Sequence, residues 1–315
     1  MNSTAVASVR PYPHNGVALK QHCAVLGSPI AHSLSPVLHR AAYQRLDLPN
    51  WDYIRHDVHA DDLVSFIASL DSTWAGLSLT MPLKKAVMPL GKASDRWSHT
   101  LKVANTAVLS WGASNGTEPR ISLYNTDVEG IVKALEHAEL GSDAKVRSNR
   151  SDLQGAVVIG SGNTAASAIA ACCTLGVGHV DIIARNEAAK QGLRQLCATL
   201  SMTSTTWSLT QMPRNISDRR YIISTLPAHA ADSLAQAWIS ENIRLNASVL
   251  DVVYKPRPSI FVETCAQLGA VVITGEEMLI YQAIPQVALM TRTKQVDMPA
   301  DLDMSMRMAV QEAIK

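Results

Sequence analysis

Residues Gly155–Gly176 read GAVVIGSGNTAASAIAACCTLG, and the fold turns on how this stretch is read. Ala156–Ile159 is an apolar, β-branched run that predicts a buried strand, and Thr164–Leu175 predicts a helix. Between them stand Gly160, Ser161 and Gly162. Glycines there let the backbone turn tightly and approach a pyrophosphate, while the helix N-terminus offers free N–H groups and a partial positive charge. Asn163 and Thr164 can add side-chain hydrogen bonds to the same anion. The third glycine of a GxGxxG run falls at Ala165, a small substitute. A purely structural strand-to-helix turn is the competing reading. The strand, turn, helix and second strand in succession favour a dinucleotide site.

The second strand, His179–Ala184 in HVDIIARN, bears on which dinucleotide. An NAD site wants an acid at this strand end for the ribose 2′-hydroxyl, and an NADP site wants an arginine for the 2′-phosphate. Asp181 lies within the strand, whereas Arg185 stands at its end beside Asn186, so the pattern favours NADP over NAD. Glu187 argues the other way, since it could meet a ribose, and is read instead as a cap of the following helix, Glu187–Leu200. Arg185 as plain surface charge is the alternative.

Moving outward, further strands are expected at Tyr221–Ser224, Val249–Val253 and Val271–Ile273, completing an α/β unit over 127–275. Upstream, Cys23–Leu26, Tyr53–His56 and Gly76–Met81 read as strands, alternating with helices at Pro36–Leu46 and Asp61–Leu70. That rhythm argues for a parallel sheet. Thr106–Trp111 and Ile121–Tyr124 flank the turn-rich GASNGTEPR, Gly112–Arg120, as a hairpin. Gly141–Leu153 is charged and serine-rich. The chain from Glu276 is helical in character and could pack back on the first unit. The fold class is therefore α/β, with a substrate-binding domain (22–126, completed by 276–315) built on a mainly parallel sheet, a Rossmann-like domain (127–275) and a cleft between them. Residues 1–21 are read as a flexible extension.

Composition restricts the function classes. The chain has 315 residues, 47% of them hydrophobic and 17% charged, with a formal charge of +1. That describes a globular protein with no electrostatic reason to bind nucleic acid or an anionic membrane. No apolar run is long enough to span a bilayer, and the N-terminal segment lacks the apolar core of a signal peptide. The five cysteines form no CxxC pair or Cys/His metal spacing, which predicts no metal and fits a reducing cytoplasm. Cys172 and Cys173 are read as core, His32 and His39 as packing or capping residues. The methionines of 298–308 suggest one face of an amphipathic helix.

Polar groups gather at predicted strand ends, where open α/β sheets form clefts. Ser33 and Ser35 in VLGSPIAHSLSP either hold a small carboxylate or cap the next helix. Lys84 follows the strand-ending Pro82 in LTMPLKK, with Lys85 as an ordinary surface charge. Asn105 lies in ANTAV and Asp127 in NTDVEG.

In order, GSPIAHSLSP, LTMPLK, ANTAV, NTDVEG, IGSGNTA, ARN, STLP, DVVYKP and GEEMLIYQA resemble the shikimate dehydrogenase family. These segments run from about Val25 to Ala283, most of the chain. The resemblance implies two α/β domains around a cleft and the reversible, NADPH-linked reduction of 3-dehydroshikimate to shikimate in aromatic amino-acid biosynthesis. It also implies that Ser33 and Ser35 bind the substrate carboxylate and that Lys84 and Asp127 form the catalytic pair. Thr80, Asn105, Tyr254 and Gln282 would contact the substrate. Gly160, Ser161, Gly162, Asn163, Thr164, Arg185, Thr225, Gly275 and Met278 would hold NADP. Ser78-Leu79-Thr80 stands where many members read NVT, and Leu83 where a phenylalanine is common.

The chemistry asks for such a pair. Carbonyl reduction needs a proton at the oxygen as negative charge develops there. A lysine ammonium can donate it, and Asp127 would orient the lysine. Two alternatives stand beside this reading: an NAD-dependent quinate/shikimate dehydrogenase, and a nucleotide-binding regulatory module without catalysis, against which the presence of both Lys84 and Asp127 argues. The expected partner is a small molecule, and the expected state a cytoplasmic monomer or homodimer.

Overall fold

In a computed structural model of the chain, residues 20–112, 118–141, 154–211 and 216–314 are described. Nearly all of the 1–21 extension, the tip of the Gly112–Arg120 hairpin and most of Gly141–Leu153 lie outside them. Two six-stranded sheets organise the molecule, one for each of two α/β domains.

The first sheet holds β1 (Gln21–Gly27), β2 (Trp51–Asp57), β3 (Trp74–Leu79), β4 (Lys92–Ala93), β5 (Thr106–Ser110) and β6 (Arg120–Tyr124) in the order β2-β1-β3-β5-β6-β4. β1 pairs in parallel with β2 and β3, and β5 runs antiparallel to β3 and β6, as the hairpin reading expected. Strand β3 differs from expectation. Although Leu77 and Leu79 alternate with Ser78, Ala75 through Leu79 are all buried, because helices pack against both faces. The strand ends at Leu79, before Pro82, and the chain turns into the short helix α3 (Leu83–Ala86), after α1 (Ser35–Arg45) and α2 (Leu63–Ala68).

The second sheet is wholly parallel. It holds β7 (Ala156–Ile159), β8 (His179–Ile183), β9 (Thr203–Trp207), β10 (Tyr221–Ser224), β11 (Ser248–Asp251) and β12 (Val271–Ile273) in the order β12-β11-β10-β7-β8-β9. Strand order reverses at β7, so a crevice opens beyond the ends of β7 and β10. Helices α4 (Arg96–Leu101) and α5 (Asp127–Leu140) precede this sheet, and α6 (Asn163–Thr174), α7 (Glu187–Thr199), α8 (Asp232–Ser240) and α9 (Ile260–Gln267) alternate with its strands. Helix α6 carries Ala165, Ala168, Ala170, Ala171 and Cys172 fully buried, small side chains that let it lie close to the sheet. Cys173 is only partly buried, at the edge of the same core.

Two closing helices, α10 (Gly275–Thr291) and α11 (Leu302–Ala313), return to the first sheet. Ile280, Ala283 and Val287 of α10 and Leu302, Met306 and Val310 of α11 share a core with Cys23 and Val25 of β1 and Leu38 and Ala42 of α1. Of the expected methionine face, Met306 is buried while Met304 and Met308 stay exposed. Among the described residues no helix is long and apolar enough to cross a membrane.

Candidate active site

A cavity of about 270 Å³ lies between the ends of β1 and β3 on one side and the N-termini of α6 and α10 on the other. At one end, Ser35 is the first residue of α1, and its backbone N–H donates to Ser33 Oγ at 3.3 Å. Neither serine caps the helix, for the cap position belongs to Leu34. Both hydroxyls border the cavity, which leaves them available to an anion. Arg55, on β2, clamps the Ser33 carbonyl from behind with Nε and Nη2, at 2.8 and 2.6 Å. Nothing in the sequence marked Arg55, because its role depends on a loop residue 22 positions away.

At the other end, Lys84 Nζ donates to Asp127 Oδ2 at 2.5 Å. The two side chains are 12% and 5% exposed, so the pair is largely out of bulk water yet opens on the cavity. Asp127 begins α5, where a carboxylate is favoured by the free N–H groups and the helix dipole. Its other oxygen accepts from Asn105 Nδ2 at 2.8 Å, and the same amide nitrogen reaches Gln282 Oε1 at 3.2 Å. Lys85, one residue on, is exposed, as expected.

Thr80, Tyr254, Gln282, Gly275, Met278 and Thr164 also border the cavity, so the elements carrying both groups of expected residues meet here. Burial, only partly offset by the nearby Arg55 guanidinium, pushes the Tyr254 phenol upward, and Glu276 adds to the push, which keeps it a neutral donor. His32 lines the rim as well. Ser78 and Gln286 line the inner wall; Gln286 was not singled out by sequence, since a glutamine within a helical run carries no signal of its own.

Beside the cavity, the glycine-rich turn sits at the crevice of the second sheet. Gly160 has φ +118°, and a Cβ there would run into Thr225 Oγ1, so this position needs glycine. Thr225 closes the turn by donating Oγ1 to the Ile159 carbonyl at 2.9 Å. Gly162 is the exposed N-cap of α6 with no side chain over the helix end, and Ser161 and Asn163 flank it half-buried. Gly275 needs its glycine for a different reason: a Cβ would meet the Val252 carbonyl. An uncovered helix N-terminus at a strand-order reversal fits a dinucleotide pyrophosphate.

Arg185 is exposed just past β8, at the same sheet end as Gly160. Asp181 is unavailable to a ribose: it is 1% exposed and held by Arg219 and by Trp207 Nε1 at 2.8 Å. Glu187 does not cap α7, contrary to expectation. Asn186 does so, its Oδ1 accepting from the Ala189 N–H at 2.9 Å, because an asparagine just outside the helix reaches the free N–H that a residue already inside cannot. Glu187 instead pairs with Lys190 at 2.5 Å, which neutralises the acid two residues from Arg185.

Residues 25–107 match the family model described as the shikimate dehydrogenase substrate binding domain. The shikimate dehydrogenase (NADP(+)) of Synechococcus sp. (strain JA-3-3Ab) is 30% identical over 276 residues, covering 84% of this chain and 86% of the relative. Among solved structures, the Mycobacterium tuberculosis shikimate dehydrogenase superposes with a TM-score of 0.75 at 29% identity, over 93% of this chain and 99% of that one. The shikimate 5-dehydrogenase of Mycobacterium fortuitum gives 0.73 at 33% identity, over 93% and 98%. Because the likeness runs through both sheets and the helices that return to the first, the chain belongs to the shikimate dehydrogenase family.

Proposed function

We propose that this protein is an NADP-dependent shikimate dehydrogenase that interconverts 3-dehydroshikimate and shikimate. The observation that carries the reading is the Lys84–Asp127 pair, 2.5 Å apart in a cavity that has two serine hydroxyls at its far end and the glycine-rich turn at its side. Ser33 and Ser35 hold the substrate carboxylate, with Arg55 fixing the Ser33 backbone behind them. Thr80, Asn105, Tyr254 and Gln282 contact the remaining polar groups of the substrate.

In the reducing direction Lys84 gives a proton to the carbonyl oxygen as charge builds there; in the oxidising direction neutral Lys84 takes the alcohol proton. Asp127 aims the Nζ, and Asn105 holds Asp127 in turn. When bound, the nicotinamide supplies or accepts the hydride. Gly160, Ser161, Gly162, Asn163, Thr164 and Thr225 would hold the pyrophosphate side of NADP, Arg185 its 2′-phosphate, and Gly275 and Met278 would lie against the nicotinamide. We assign the substrate domain to 22–126 with 276–315 and the cofactor domain to 127–275, in a cytoplasmic monomer or homodimer.

The test is a four-way assay of purified protein with shikimate or quinate, each with NADP or NAD, following nicotinamide reduction. Reduction with shikimate and NADP is the expected result. No reduction in any arm would refute the enzyme reading, and a preference for NAD would overturn the role given to Arg185.

A further inference from the structure

Behind the cavity runs a line of buried side chains whose hydrogen bonds all point one way. The Tyr53 hydroxyl donates to Ser78 Oγ at 2.6 Å, and Ser78 Oγ donates to Gln286 Oε1 at 2.9 Å. Gln286 Nε2 donates to Thr106 Oγ1 at 2.9 Å, and Thr106 Oγ1 donates to Asn105 Oδ1, also at 2.9 Å. Asn105 Nδ2 then donates to Asp127 Oδ1 at 2.8 Å. Each of these groups is no more than 5% exposed.

Backbone atoms fix the polarity. The Thr126 N–H donates to Asn105 Oδ1 at 2.8 Å, so the Asn105 amide nitrogen must face Asp127. Gln286 Nε2 also donates to the Asn105 carbonyl at 3.1 Å, so its oxygen must face Ser78. Reversing either amide would set oxygen against oxygen in a buried site and leave polar groups there unpaired. Tyr53 stays protonated, since burial drives its phenol far above the ordinary range against the pull of the Ser78 and Ser35 hydroxyls beside it. Its neighbour Ser35 belongs to the opposite end of the cavity from Asp127. The line therefore begins at the serine end and finishes on the carboxylate that aims Lys84.

We propose that Tyr53, Ser78, Gln286 and Thr106 form a positioning relay that joins the two ends of the cavity, with Gln286 as its central positioning residue. The relay sets the spacing and polarity between the anion-holding serines and the proton-transferring lysine. Each hydroxyl has its proton committed to the next acceptor, so a disturbance at Tyr53 reaches Asn105 through a series of single bonds with fixed direction. This proposal rests on the reading of Lys84–Asp127 as the proton-transfer pair.

The experiment measures shikimate oxidation with NADP for the full-length enzyme and for Tyr53→Phe, Gln286→Met and the double variant. Tyr53 touches neither Lys84 nor Asp127, yet Tyr53→Phe is expected to lower kcat by about 3- to 10-fold, in the range measured for coupled neighbours, with KM for NADP unchanged. In the Gln286→Met background, Tyr53→Phe should leave kcat where it is and move only KM for shikimate. The relay is overturned if Tyr53→Phe changes KM alone in the wild-type background, or if the two effects on kcat multiply. Should Gln286→Met fail to fold, Gln286→Glu takes its place: it keeps an acceptor for Ser78 and loses the N–H for Thr106, and the same pattern supports or overturns the relay. An inactive wild type would refute the proton-transfer reading and the relay with it; an active wild type with multiplying effects refutes the relay alone.

Discussion

Asp127, just past the first sheet, meets Lys84 at 2.5 Å, and Asp181, within the second sheet, meets the Arg219 guanidinium at 2.7 and 2.6 Å. Both carboxylates are at least 95% buried and both are joined to a cation. Their surroundings differ. Asp181 accepts from Trp207 as well as from Arg219 and lies 3.5 Å from His179 Nε2, so protein groups surround it on strand β8. Lys84 has Asp127 as its one side-chain hydrogen-bond partner among the described residues, and its ammonium borders the cavity. A buried ion pair whose hydrogen-bonding capacity is filled by protein holds strands together; one that leaves donors facing an open volume can exchange a proton with what enters it.

Breaking each pair should sharpen the contrast. Lys84→Ala is expected to cut turnover by about 10²- to 10⁴-fold, the usual worth of a positioned acid–base group, while a titration with NADP gives nearly the wild-type affinity. Near-normal turnover would take Lys84 out of the mechanism. Breaking the other pair from its acid side should show the reverse. Asp181→Ala removes the carboxylate that binds Arg219 Nε and Nη2, and chemical denaturation should find the protein less stable by about 3–5 kcal/mol, with turnover per folded molecule unchanged. A loss of turnover without a loss of stability would make the second pair functional and erase the distinction.

A third, smaller effect concerns His39, whose Nε2 lies 3.3 Å from Gln286 Oε1 and which stacks on Tyr53. Burial pulls its pKa down to about 3, against the opposing pull of Gln286. An unfolded chain binds this proton near 6.5, so between about pH 6.5 and 3 the unfolded state holds more protons than the folded one. Stability should therefore drop as the pH is lowered through that window, by about 1.4 kcal/mol per unit, with no slope from this group above it. Comparing urea midpoints of wild type and His39→Gln from pH 7 to pH 4 isolates the contribution; parallel declines would show that His39 is not its source.

Much of the fold was legible in the chain. The apolar runs gave β7, β8, β10 and β12 within a residue of their observed ends, because strands buried on both faces read as continuous β-branched stretches. Strand β9, Thr203–Trp207, escaped notice: TSTTW has no apolar alternation, since it is an edge strand whose neighbour lies on one side only. Helix α5 is not among the expected elements, although Val128, Ile131, Val132 and Leu135 have helical spacing, because its first residue, Asp127, coincides with the expected boundary between the two units. Strand β4 spans only Lys92–Ala93, too short for any period to register.

The site divides in a similar way. Residue types and local order sufficed to single out Ser33, Ser35, Lys84, Asn105, Asp127 and the turn at Gly160–Thr164, since strand ends followed by helices expose polar groups at the same sheet edge. Sequence alone determined the two-sheet architecture, the glycine turn and the short list of groups able to move a proton or hold an anion. Only the tertiary structure decided that Lys84 meets a carboxylate 43 residues away, that Asp181 is spent on Arg219, and that Gln286, 208 residues from Ser78, stands behind the cavity. Local periodicity records which face of an element is buried; it holds no information about which side chain on another element will stand opposite, and hydrogen bonds and ion pairs are settled by that meeting.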